Sequence, residues 1–318
     1  MPCSEFTLID RYFKNIGPSL HSTHCGIGDD CAVLKPAADQ LLLVTTDTLV
    51  ENIHFLPDVD PKSLGHKVLA VNLSDLAAMG ATPSWVTLAL SMPEVNEIWL
   101  ESFARGFCEL AERYEVQLIG GDTTRGPLTI TVQALGSAKP EAVLYRSKAR
   151  PGDGIYVTGT LGDAGLALKY RKEWNRACPE GLNRRLDWPE PRIEAGLAIA
   201  GIASACIDIS DGFLADLGHL IDASGVGATL DWQRIPLTAC VRQYVEESED
   251  YPLPLGAGDD YELCFTIPAQ REPEFIQIKK FLPHACSRVG SIDSKSGLRI
   301  ENCDLDLRQK LAGYEHFS

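Results

Sequence analysis

The stretch from Leu118 to Gly126 reads Leu-Ile-Gly-Gly-Asp-Thr-Thr-Arg-Gly and packs backbone freedom, a carboxylate, two hydroxyls and a guanidinium into one short segment. Glu115 to Ile119 reads as a short strand before it, and Leu128 to Leu135 alternates as a second strand after it, so the segment is expected to be a loop at a strand end. Ligands usually meet α/β sheets at such ends. Gly120 and Gly121 let the backbone approach a bulky anion, and Asp122 offers the hard oxygen that Mg²⁺ prefers. A tight hairpin turn accounts for the same residues without any ligand.

The same device recurs along the chain. Leu41 to Val44 is a continuous apolar run, expected to be a buried strand, and it ends in Thr45-Thr46-Asp47-Thr48. Gly26-Ile27-Gly28-Asp29-Asp30 sets two adjacent carboxylates behind glycines, which suits either a cation or a solvated turn. Asp60-Pro61 opens a helix that runs to Gly80, and Asn72, Ser74 and Asp75 interrupt its apolar face. A buried Asp75 calls for a cation or a strong donor beside it. Cys206-Ile207-Asp208-Ile209-Ser210-Asp211-Gly212 repeats the pattern before a helix from Phe213 to Ala223, where N-capping explains one of the two acids but not both.

Residues 137–153 are linker-like, which divides the chain into domains of 1–137 and 138–318. Arg146, in that linker, reaches a nucleotide phosphate or forms a surface pair. His54 lies beside Phe55 and serves either packing or a substrate. The Gly-rich turn at Thr158 to Gly165 opens a helix and suits an anion, but it is neither a P-loop nor a dinucleotide fingerprint.

At 318 residues the chain can bury a large core, and its formal net charge of -15 argues against nucleic acid and anionic membrane as partners. An acidic protein that handles phosphates needs cations, and clustered aspartates would supply their ligands. The ten cysteines show no Cys-x-x-Cys pair or zinc spacing, which fits a reducing compartment. With no membrane-length apolar run and no basic leader, a cytoplasmic location is expected.

Taken together, the order of these motifs resembles the thiamine-monophosphate kinase family. The matching stretches are Gly-Ile-Gly-Asp-Asp-Cys-Ala at 26–32, Thr-Thr-Asp-Thr-Leu-Val at 45–50, His54-Phe55, Val71-Asn-Leu-Ser-Asp-Leu-Ala-Ala-Met-Gly80, Gly-Gly-Asp-Thr-Thr at 120–124, Ile-Asp-Ile-Ser-Asp-Gly at 207–212 and Asp-Tyr-Glu-Leu at 260–263. The resemblance implies a two-domain α/β (α+β) fold of the aminoimidazole ribonucleotide synthetase type. It also implies an N-terminal mixed sheet used for homodimerisation and a C-terminal α/β domain completing the active site. Further implied are Mg²⁺ ions and ATP, with thiamine monophosphate as the acceptor. Carried over by motif, Asp30, Thr45, Thr46, Asp47, Asp75, Asp122, Asp208 and Asp211 would form the metal shell. Gly121, Asp122, Arg146 and Ser210 would contact ATP, while His54, Asp259 and Tyr314 would frame thiamine monophosphate. The family motif resembles Gly-Gly-Glu-Asp-Tyr-Glu-Leu, whereas this chain carries the shorter Asp259 in Ala257-Gly258-Asp259-Asp260-Tyr261-Glu262-Leu263.

The residue types agree with direct phosphoryl transfer. A phosphate monoester is largely ionised at neutral pH and needs no general base, so no acid/base residue and no phospho-enzyme are expected. Other readings are a related synthetase, for which Cys25 is the nearest candidate nucleophile, and a sensor that binds without turnover.

Overall fold

The computed structural model describes residues 5–173 and 178–303. The chain forms two compact units, the first reaching Leu76 and resuming at Ala81–Pro140, the second comprising Ala77–Gly80 and everything from Glu141 onward.

The first unit contains α1 (Glu5–Leu8), the short strands β1 (Thr23–Cys25) and β2 (Val33–Leu34), β3 (Leu41–Val50), α2 (Pro61–Ala78), β4 (Thr82–Met92), α3 (Glu97–Arg113), β5 (Gln117–Arg125) and β6 (Thr129–Ala138). Helix α2 starts at its expected Pro61, with the Asp60 carboxylate accepting the Ser63 N–H at 3.2 Å. Helix α3 is capped by Asn96, which accepts the Trp99 N–H, and it buries Leu100, Phe103, Phe107 and Leu110, spaced three and four apart along one face. Those side chains and Leu64, Leu69 and Leu73 of α2 are almost fully buried, as are Val86, Leu90, Ile130 and Val132 of the sheet.

The four long strands lie in the order β3-β6-β4-β5, with β4 and β5 parallel and the other pairs antiparallel, so this sheet is mixed. Two expectations change here. The segment after Ile119 is not a loop, because β5 continues to Arg125, pairing Gly121 with Leu88 and Asp122 with Ala89. It is not a hairpin partner of β6 either, since β6 pairs with β3 and β4. Likewise Thr45 to Thr48 do not follow a strand but lie inside one. Polar residues look like loop in sequence, yet the outward face of an edge strand needs no apolar side chain and β-branched threonine suits a pleated backbone. Gly121 has φ +151, and a Cβ there would stand 1.8 Å from the Leu88 carbonyl oxygen, so only glycine fits the close approach of β4 and β5.

The second unit contains β7 (Gly154–Thr158), α4 (Asp163–Lys172), α5 (Glu180–Asp187), α6 (Ile193–Ile199), β8 (Ala205–Ile209), α7 (Phe213–Ser224), β9 (Gly227–Asp231), α8 (Ala239–Ser248), α9 (Pro252–Gly256), β10 (Glu262–Ile267), α10 (Glu272–Ile278), β11 (Cys286–Asp293) and β12 (Gly297–Glu301). Its sheet runs β12-β9-β11-β7-β10-β8, antiparallel except for the β12 and β9 pair. Every residue of β7, β8 and β10 is buried, which suits their mainly apolar sequences and leaves Asp208 and Glu262 as enclosed acids. Ile155, Ile207, Phe213, Leu217, Leu220 and Val289 belong to one core cluster.

Candidate active site

In the first unit the candidate residues fall into two groups. Asp30 is exposed between β1 and β2, and it lines an open groove of ≈ 1030 Å³ together with Asp29, Gly120, Gly121 and Asp122. The two carboxylate-bearing segments that sequence spacing singled out therefore face one cavity. The second group lies where β3 meets α2. Thr45 and Asp47 are two residues apart on β3 and share a strand face. The Thr45 hydroxyl donates to Asp75 Oδ2 at 2.5 Å, and the Asp47 backbone N–H donates to Asn72 Oδ1 at 3.2 Å. Asn72 and Asp75 are neighbours one helical turn apart.

Asp75 is half-buried rather than enclosed, and the strong donor expected beside it is the Thr45 hydroxyl. Thr46 points the other way along the pleat and accepts from Gln133 Nε2 at 3.3 Å. His54 follows β3 in a turn where its Nδ1 accepts the Val50 N–H at 3.0 Å. That bond leaves the neutral ring carrying its proton on Nε2, a donor suited to a phosphate or hydroxyl oxygen.

In the second unit Asp208 is buried on β8, and Ser210 and Asp211 follow in the turn that leads to α7. Neither acid caps the helix, contrary to the expectation from sequence. Asp216, inside α7, reaches back instead, its Oδ2 accepting the N–H groups of Ser210, Asp211 and Gly212 at 3.0, 3.1 and 3.2 Å. Burial, followed by the nearby Asp211 charge, pushes the Asp216 carboxyl up to about 7 against the pull of those three bonds. Arg146 is exposed, in a turn held along β8 by a bond from the Cys206 N–H to the Tyr145 carbonyl at 3.2 Å.

The segment carrying Asp259 sits against the same turn. The Asp259 and Tyr261 N–H groups donate to the carbonyls of Ser210 and Ile209 at 2.9 and 2.8 Å. The Tyr261 hydroxyl donates to Asp259 Oδ1 at 3.0 Å, and both residues are left-handed, with φ +67 and +49. Such conformations persist in non-glycine residues only where the surroundings impose them. Here the neighbouring acids supply the hold. Both oxygens of Asp260 accept the Gly162 N–H at 3.0 Å, while the fully buried Glu262 pairs with Arg185 at 2.6 Å and Arg192 at 2.5 Å. Tyr314 lies outside the described residues.

Sequence reasoning passed over Asn72 and Asp216 as functional residues, although each is a polar side chain at a buried helical position. Among the described residues no three His, Cys, Asp or Glu side chains are disposed to hold one metal ion. The donor set nevertheless suits Mg²⁺, which takes one or two carboxylates and fills its remaining positions with water and substrate phosphate oxygens. Carboxylate and hydroxyl oxygens on Asp30, Asp122, Thr45, Asp47 and Asp75 are hard ligands of that kind.

The chain matches AIR synthase related protein, N-terminal domain, over residues 28–138 and its C-terminal domain over residues 150–301. It is 45% identical to a thiamine-monophosphate kinase of Salmonella typhimurium over 100% of this chain and 99% of that one. Its structure resembles thiamine-monophosphate kinase from Stenotrophomonas maltophilia, with a TM-score of 0.86 at 41% identity, covering 95% of this chain and 98% of that one. It also resembles AaThiL complexed with AMPPCP and TMP, with a TM-score of 0.77 at 32% identity over 92% of each chain.

Proposed function

The chain belongs to the thiamine-monophosphate kinase family, within the AIR synthase related proteins, and we propose how its residues perform that family's reaction. The activity is ATP-dependent phosphorylation of thiamine monophosphate to thiamine diphosphate. One observation carries this reading: similarity at 45% identity spans 100% of this chain and 99% of the relative, rather than one domain.

The transfer is direct and in line. The acceptor monoester has its second pKa near about 6, so it arrives ionised and needs no base. Repulsion between two polyanions is the larger obstacle, with unit like charges about 4 Å apart opposing each other by roughly 4 kcal/mol at an effective dielectric of 20. Mg²⁺, when bound, supplies the compensating charge. Asp30, Thr45, Asp47, Asp75 and Asp122 would hold it in the first unit, and Asp208 and Asp211 in the second, while Thr46, whose hydroxyl faces the other way, would offer only its backbone carbonyl. Gly121, Arg146 and Ser210 contact the nucleotide, with Gly121 lining the groove beside Asp122. His54 and Asp259 orient the acceptor, His54 by donating from Nε2. The shorter Asp259 keeps its carboxylate in place through the Tyr261 hydroxyl.

The enzyme acts as a homodimer joined through the N-terminal sheet. Supporting this, the edge strand β3 exposes Leu42 and Val44, at 44% and 54%, on one face and Leu41, at 44%, on the other. No described helix is long and apolar enough to cross a membrane. We place the enzyme in the cytoplasm, where ATP is available and the free cysteines stay reduced.

The test is chromatographic product analysis after incubation with ATP, Mg²⁺ and either thiamine monophosphate or thiamine. Thiamine diphosphate formed from the monophosphate alone is the expected result. Tight binding of both ligands with no product would make the protein a sensor.

A further inference from the structure

An acid in the first turn of a helix ordinarily answers the helix dipole from a solvated position. Asp216 does not, because it is 3% exposed, on the same buried face as Phe213, Leu217 and Leu220, and takes part in none of the described ion pairs. Burying a carboxylate without a cation is costly, and an ordinary serine or asparagine N-cap would satisfy the start of α7 at lower cost. Helix stability therefore does not explain Asp216.

What Asp216 accomplishes is local order in the turn before the helix. A single oxygen gathers three successive N–H groups, from Ser210 to Gly212. On the other side of the same turn, the Ile209 and Ser210 carbonyls are taken by Tyr261 and Asp259. A Cβ on Gly258 would stand 2.4 Å from the Ser210 oxygen, so the two segments are in close contact. The peptide groups between Asp208 and Phe213 are thus fixed from both sides, and only Asp216 supplies the acceptor on the helix side.

We infer that Asp216 is a positioning residue for phosphoryl transfer, which holds the 210–212 turn in the one geometry that lets Asp208 and Asp211 present their carboxylates to a cation. The inference rests on the assignment of those two aspartates to the metal. Asp216 itself touches neither nucleotide nor acceptor. It acts as outer partners of metal ligands do, whose loss typically lowers metal affinity or activity by about tenfold to a hundredfold.

The experiment titrates the full chain with Mn²⁺ in the presence of ATP and reads free Mn²⁺ by electron paramagnetic resonance, with circular dichroism and thermal unfolding alongside. Wild type is compared with Asp211→Ala, Asp216→Asn and Asp216→Ala. Expected is weakening by about tenfold or more for Asp211→Ala and Asp216→Ala, and a smaller loss for Asp216→Asn, which keeps one acceptor oxygen. In steady-state kinetics Asp216→Asn should raise the Mg²⁺ concentration needed for half-maximal rate while leaving the KM for thiamine monophosphate near wild type. If Asp211→Ala weakens Mn²⁺ binding while a folded Asp216→Asn and a folded Asp216→Ala bind like wild type, the positioning role is overturned and the metal assignment stands. If Asp211→Ala binds like wild type, the assignment beneath it fails. If both Asp216 variants unfold, Asp216 is a requirement of the fold and the inference is overturned.

Discussion

Asn72 Oδ1 accepts the backbone N–H of Asp47 at 3.2 Å, while Asn72 Nδ2 donates to the Val68 carbonyl at 3.0 Å. Among the described strands β3 pairs with β6 alone, so Asn72 gives its other edge a fixed partner on helix α2. Replacing Asn72 with leucine keeps the volume and removes both bonds, at a cost of about 1 kcal/mol. Urea unfolding should show that loss, and turnover should fall further than the stability change alone requires, because Asp47 is no longer held. A variant as active as wild type would show that the clasp is structural only.

Asp47→Ala and Asp122→Ala should abolish turnover with little loss of folding, since Asp47 is half-buried and Asp122 is exposed. Product chromatography and circular dichroism on the same preparations separate the two effects. Rates like those of wild type would remove both residues from the metal shell.

His54→Ala should mainly raise the KM for thiamine monophosphate. The ring is oriented through the Val50 N–H, so its loss also frees the turn after β3. Initial rates with each substrate varied in turn give the check, and a change confined to ATP would contradict the acceptor role.

Helix α2 was legible in sequence because Pro61 marks its first turn. The length of β3 and β5 was not. Thr45 to Thr48 and Gly120 to Arg125 carry the polar and glycine content of loops, and only pairing with β6 and β4 shows them as strand. The acidic motifs stood out, whereas their supports did not. Asp216 looks like an ordinary acid of a first helical turn until the chain folds back and places three N–H groups around it. Asn72 interrupts an apolar helical face, and that misfit was the available signal.

A pH effect is expected away from the site. Burial raises the Asp250 carboxyl, but bonds from the Tyr244 hydroxyl and Lys169 outweigh it and leave the group below its ordinary value. A carboxyl lowered on folding stabilises the protein above its unfolded pKa of about 3.9, and that contribution is lost as pH falls through the folded value. Asp250→Asn should therefore destabilise by about 1 kcal/mol at pH near 7, and the gap from wild type should narrow as pH falls towards about 3. Denaturant melts at the two pH values measure it, and a gap that widens in acid would contradict the assignment.

The turn held by Asp216 is built entirely within residues 208–216, whereas the bond from Thr158 to Glu262 spans 104 positions. Short loops close at little entropic cost and long ones at more. During synthesis the three bonds to Asp216 can thus form before the strand that later braces the turn has been made. Asp259 and Tyr261, on that later strand's approach, supply the bonds that fix the turn's other side.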